Sequence, residues 1–152
     1  MKLSLPLVIH MPRVTMADKP FHMNLNVYRN THHRVLHDAK IIYKEHVLGA
    51  IADAGMRPDT FKLTPPLRLV YTLYPKSKRA VDVSNVLSIV DKFACDALVE
   101  FGFIEDDNYK IVRETVYRFG LIDPDNPRAE LEIDEFRDSP DTERQRRFSF
   151  DD

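Results

Sequence analysis

The chain predicts a single α/β (α+β) domain, a small mixed β-sheet with two main helices packed on it. Three observations carry that expectation. Two stretches, 32–54 and 83–101, repeat apolar residues at helical spacing and are each followed by glycine. Four shorter ones, 2–9, 66–74, 109–119 and 128–136, have the alternation or residue types of strands. The order strand, helix, strand, helix, strand, strand in 152 residues suits one layered unit that buries about 70% of its unfolded surface.

Residues 2–9 (KLSLPLVI) alternate well enough for a strand, with Pro6 marking an edge or a bulge. Pro and Asn punctuate the chain from there to about Asn30. The helix over 32–54 places Val35, Leu36, Ala39, Ile42, Tyr43, Val47, Ala50 and Ala54 on one core face, with His46 among them, and Gly55 and Pro58 end it. Ile41 and Leu48 form a second apolar spot on the far side, suited to a partner subunit. Residues 66–74 (PLRLVYTLY) predict a strand, and PKSKR (75–79) a basic loop. The second helix, Val83 to Phe101, is stopped by Gly102. Its core face is Val83, Val86, Val90, Phe93, Ala94, Ala97, Leu98 and Phe101. The last two strands are joined by DPDNPR (123–128), turn chemistry that predicts a hairpin with a longish loop. The domain thus spans 1–137, and 138–152 read as a flexible tail in which Phe148 and Phe150 can dock.

Composition narrows the function classes. With 43% hydrophobic and 30% charged residues this is an ordinary soluble composition. No apolar run approaches a membrane span, and the N-terminus lacks a hydrophobic signal core. Cys95 is the only cysteine, which excludes intrachain disulfides and favours the cytoplasm. Residues 1–122 carry a net charge of +4, whereas 123–143 carry -7. A basic body with an acidic segment fits nucleic-acid binding. Gly occurs only at 49, 55, 102 and 120, so no Gly-rich phosphate loop exists and a nucleotide cofactor is not expected.

The chemistry concentrates in 26 residues: Asp82, Asn85, Lys92, Asp96, Asp106 and Asp107. Clustered carboxylates are costly unless something positive sits among them, and a divalent metal serves. On a helical wheel Asn85, Lys92 and Asp96 fall in one narrow stripe away from the core face. Asp91 lies well off it, nearer the Ser84 and Cys95 side, so the wheel favours Asp96 over Asp91. Each residue also has a plainer reading. Asp82 or Ser84 suits a helix cap, Lys92 and Asp96 an i,i+4 surface pair, and Asp106–Asp107 a solvated turn with Asn108. The signal lies in the combination.

At these residues the chain resembles the RusA family of Holliday junction resolvases of phages and prophages. The matching segments are KSKRAVDVSN (76–85), Lys92, DAL (96–98), Gly102 and EDDNYKI (105–111), about a third of the chain. Asn24, Asn26 and Tyr28 match more loosely. The resemblance implies a homodimeric endonuclease that cuts four-way DNA junctions with Mg²⁺ or Mn²⁺. Carried over, Asp82, Lys92 and Asp107 are the catalytic residues; with Asp96 and Asp106 of the acidic series, Asp82 and Asp107 are the expected metal ligands. Ser84 stands where the family has a second Asp, and Asp96, or less readily Asp91, is the candidate replacement. The gap from Asn85 to Lys92 is one helical turn longer than in the family. The alternatives are a junction-binding protein without cleavage and a nuclease acting on RNA or flaps.

Outside this block, Lys76, Lys78 and Arg79 are the first choice for gripping the DNA backbone, with Arg29, His32, His33, Arg34 and Asn85 as further contacts. His33 and His37 have i,i+4 zinc spacing, but the Glu of the HExxH pattern is missing. Cys95, with no His partner nearby in sequence, reads as a buried structural thiol.

Overall fold

The computed structural model describes residues 1–61 and 63–138. Its elements are β1 (Lys2–Leu5), β2 (Val8–Met11), β3 (Lys19–His22), α1 (Leu25–Arg29), α2 (His33–Asp53), β4 (Leu67–Tyr74), α3 (Val83–Glu100), β5 (Val112–Phe119) and β6 (Arg128–Glu135). The fold is the mixed α+β domain predicted. Four strands form one sheet in the order β1-β6-β4-β5, and β2 and β3 form a separate ribbon. The tail from 139 onward, with Phe148 and Phe150, lies outside the described residues. No helix among the described residues is long and apolar enough to cross a membrane.

Central β4 is antiparallel to β6 and parallel to β5. Parallel neighbours need a crossover, and α3 supplies it. The start of α3 therefore lies at the C-terminal end of β4, and its finish near the start of β5. The hairpin predicted between the last two strands does not form, because β4 takes the place between them. The connecting segment instead crosses the end of β4. The amide of Gly120 donates to the carbonyl of Leu73, that of Asp123 donates to Pro75, and Arg128 clasps Asp123 at 2.8 Å. Glycine at 120 allows this close approach: a Cβ there would sit 2.7 Å from the Tyr74 ring and 2.9 Å from Thr72, and one of those side chains would have to shift.

Both long helices match their predicted bounds within a residue. The strand over 2–9 divides instead at Pro6, which lacks the N–H to continue a ladder. β1 pairs with β6, and β2 turns away to pair with β3. The Tyr43 hydroxyl donates to the Pro6 carbonyl at 3.0 Å and ties the break to α2. The five-residue α1 and four-residue β3 are too short to show periodicity. Asn24 caps α1 by accepting the Asn26 amide at 2.8 Å.

The two helices are buried to different depths. α2 buries only Ala39, Tyr43, Val47 and Ile51, a single i,i+4 row, so Val35, Ala54 and His46 stand exposed. His46 is therefore not a core residue. α3 lies between the sheet and the other helices and buries a wider arc, adding Leu87, Ile89 and Cys95 to the predicted face. Phe93 sits at the centre of the core, stacked 6.4 Å from Phe21, with Tyr43 and Tyr28 edge-on at 5.7 and 6.2 Å. Leu67, Leu69, Tyr71 and Leu73 of β4 meet α3 from the sheet. The opposite sheet face stays polar and carries ion pairs such as Arg68–Glu114 and Lys2–Glu130, both at 3.0 Å.

Candidate nucleic-acid interface and acidic residues

The predicted stripe on α3 faces α1 and α2. The Lys92 ammonium lies 5.7 Å from the ring centroid of Tyr28 on α1, and Asp96 lies 3.9 Å from the ammonium of Lys40 on α2. Beside them Tyr28, His33, Arg34, Leu36, His37, Asp38 and Lys40 line an open groove of about 670 Å³. His32 caps α2, its Nδ1 accepting the Arg34 amide at 3.3 Å, and its ring stands 4.2 Å from that of His33. With exposed Arg29, this end of the helical layer presents mostly cationic and imidazole side chains to solvent.

A second basic feature lies at the other end of α3. Pro75 to Val81 run from the C-terminal end of β4 to the helix start, with Lys76, Lys78 and Arg79 all exposed. Lys76, Ser77 and Arg79 rim a cavity of about 410 Å³, and Lys78 lines a smaller neighbour of about 350 Å³. Asp82 closes the loop as the α3 cap. Its Oδ1 accepts the Ser84 amide at 3.1 Å, the Ser84 hydroxyl at 2.9 Å and the Asn85 amide at 3.4 Å. The Ser84 hydroxyl, then the Asn85 amide, hold the carboxyl below its usual range, so it is ionised at neutral pH. Asp106 behaves similarly in its turn. It accepts the Asp107 amide at 2.8 Å and the Asn108 side-chain amide at 2.6 Å, and these bonds lower its pKa in that order.

The acids do not all meet. Asp82 precedes the first turn of α3 and Asp106–Asp107 follow its last; 18 residues at about 1.5 Å each make a helix about 27 Å long. Asp96 lies about 21 Å along the axis from Asp82 by the same rise. Among the described residues no three His, Cys, Asp or Glu side chains gather as a metal-binding group. The expected set of Asp82, Asp96, Asp106 and Asp107 therefore cannot bind one ion within a single protomer. A wheel reports angle and is blind to axial distance, which is why the sequence pattern overstated their proximity. Of the four acids in that set, Asp106 and Asp107 are adjacent in one turn and Asp82 stands apart at the helix start.

One acid that the wheel set aside ties α3 to the sheet. Asp91 faces the sheet at β4 and β5. Its Oδ1 accepts the Tyr71 hydroxyl at 2.8 Å and the Cys95 thiol at 3.1 Å, and its Oδ2 accepts the Tyr117 hydroxyl at 2.5 Å. Tyr71 and Tyr117 are register partners on the parallel strands, ring centroids 5.8 Å apart. Burial first pushes the ionisation of Tyr71 and Cys95 upward; the Cys95 and then the Asp91 charge add to it at Tyr71, and the Asp91 charge adds to it at Cys95. Burial and the hydrogen bond to Asp91 do the same for Tyr117. Three donors use most of a carboxylate's capacity, so Asp91 serves as an anchor fastening α3 to two strands. The one sequence sign of it was the i,i+4 spacing of Asp91 and Cys95.

No protein-family model matches the chain, and no curated protein matches it.

Proposed function

We propose that the chain is a metal-dependent, structure-specific endodeoxyribonuclease of RusA type that resolves four-way DNA junctions in recombination and repair. The observation that carries this reading is the junction of β4 and α3. There the cationic run Lys76–Arg79 leads directly into a carboxylate, Asp82, that its hydrogen bonds keep ionised. Lys and Arg beside an exposed acid suit a site that grips phosphate and acts next to it. The groove lined by His33, Arg34, His37 and Lys40, with Lys92 nearby, supplies a second patch for the DNA backbone.

Mg²⁺ or Mn²⁺ belongs to the proposal through donor chemistry alone. Mg²⁺ is often held by one or two carboxylates together with substrate phosphates, and Asp106 with Asp107 can offer that much. Homodimerisation rests on Ile41 and Leu48, 45% and 48% exposed on the outer face of α2. Two symmetric nicks also call for two sites related by a two-fold axis. The proposed setting is the cytoplasm of a bacterium or a phage-infected cell.

The second reading is a junction-binding protein without cleavage. The engagement of Asp82 as a cap and of Asp106 in a turn favours it. A synthetic four-way junction and a linear duplex of equal length, incubated with the protein in Mg²⁺ or in EDTA, separate the two. The nuclease reading expects tight junction binding in both buffers and cutting only with metal. Tight binding without cutting in Mg²⁺ or Mn²⁺ selects the second reading, and equal binding to duplex and junction rejects both.

A further inference from the structure

The cavity beside the basic loop has a make-up that phosphate-backbone contact does not call for. Its apolar walls include Leu7 after β1, Met23 after β3, Leu73 at the end of β4, Val81 in the basic loop and Val86 in the first turn of α3. Of these, Leu73 and Met23 are fully buried. The charged lining residues are Lys76 and Arg79 at the rim, with the imidazole of His22. No Asp or Glu lines it, in a chain that has 24 of them. The lone carboxamide is that of Asn24, whose oxygen is engaged in capping α1 and whose NH₂ is left for a ligand. A volume of about 410 Å³ is within the range of about 300–1,000 Å³ usual for small-molecule sites.

An apolar slot with a cationic rim and one amide donor suits a ligand that is flat and weakly polar at one end and anionic at the other. A nucleotide has that form. Its base has apolar faces and hydrogen-bonding edges, and its phosphate carries the charge. Bases out of the stack are commonly held between aromatic or apolar side chains. We infer that this cavity takes one unstacked nucleotide of the bound DNA, with the base against Leu7, Val81 and Val86 above the buried floor of Leu73 and Met23, and its phosphate at Lys76 and Arg79. The inference rests on the DNA-binding reading above. It adds that the protein opens the junction at the branch point, where pairing is weakest.

The test uses the full chain and a four-way junction carrying 2-aminopurine, which brightens on leaving the base stack. The probe is placed either at the branch point or in mid-arm, and binding is followed by anisotropy on the same sample. At saturating protein the branch-point probe should brighten several-fold and the mid-arm probe should not. Val81→Phe, which puts a ring into the cavity from an exposed lining position, should remove most of that rise at saturation. Saturated binding that leaves both probes dark overturns the pocket and spares the junction-binding reading. Absence of any binding overturns both. A second arm needs no variant: thymidine monophosphate should shift the methyl NMR signals of Leu73, Val81 and Val86, and inorganic phosphate at the same concentration should not. Equal shifts from both, or none from the nucleotide, also overturn the inference.

Discussion

Replacing Asp91 with Ala should destabilise the fold far more than replacing any other acid on α3. The carboxylate accepts from Tyr71, Cys95 and Tyr117, and Tyr71 is fully buried. Truncation strands the Tyr71 hydroxyl, for which only the thiol of Cys95 at 3.7 Å remains. An unsatisfied buried donor costs about 1–3 kcal/mol, and a hydrogen bond to a charged group contributes about 1.5–3 kcal/mol. Tyr117 is half-exposed and regains water, so its loss adds little. The estimate for Asp91→Ala is about 2–4 kcal/mol, which for a chain of this size lowers Tm by about 4–16 °C. Asp91→Asn keeps one acceptor oxygen and should cost less. Asp96→Ala is the control. Its partner Lys40 is 3.9 Å away and both side chains are substantially exposed, so the change should stay within about 0.5 kcal/mol. Urea denaturation with an unchanged m-value is the assay. Asp91→Ala within about 0.5 kcal/mol of wild type, or Asp96→Ala costing more, would refute the anchor.

Three further outcomes follow from the same geometry. Asp82→Ala should cost about 0.5–2 kcal/mol as a lost helix cap, whereas Asp82→Asn, an equally good cap, should leave thermal stability close to wild type. Cys95, Tyr71 and Tyr117 have ionisations raised above their ordinary values of 9.0 and 10.0, so their contribution is fully present below pH about 9 and is lost as pH rises through the raised values. Stability measured by urea should therefore decline progressively above pH about 9, and a flat profile from pH 8 to 11 would contradict the buried network. Replacing Lys76, Lys78 and Arg79 together with Ala should weaken junction binding across all sequences and flatten its salt dependence; an unchanged slope in fluorescence anisotropy places the loop away from the DNA.

The extents of α2 and α3 were legible because each is long, amphipathic and followed by glycine. The strand order was not, since nothing local in 109–119 or 128–136 says that β4 will come between them. Pairing there is decided by the α3 crossover, a long-range effect. Pro6 was visible as an interruption, but its consequence, a strand divided between two sheets, depended on β3, which is too short to read. The wheel set Asn85, Lys92 and Asp96 apart from the core face, and Lys92 and Asp96 lie against side chains of α1 and α2. That the flanking acids stay apart was not legible on a wheel, because a continuous helix turns sequence separation into axial distance. Asp91 was missed for a related reason: its partners Tyr71 and Tyr117 lie 20 and 26 residues away on strands, and their convergence exists only after the sheet has formed.

The central claim is that the acids flanking α3 perform chemistry on a DNA junction in addition to shaping the helix and its turn. Its most direct test is cleavage of a synthetic four-way junction in Mg²⁺ by wild type and by Asp107→Asn, with junction binding and thermal stability measured on the same preparations. The account predicts metal-dependent cutting by the wild type. It predicts a loss of orders of magnitude in Asp107→Asn, with stability near wild type and junction binding retained or improved as one repulsive charge leaves the phosphates. A wild type that binds junctions tightly yet never cuts them, or an Asp107→Asn protein that cuts at the wild-type rate, contradicts it.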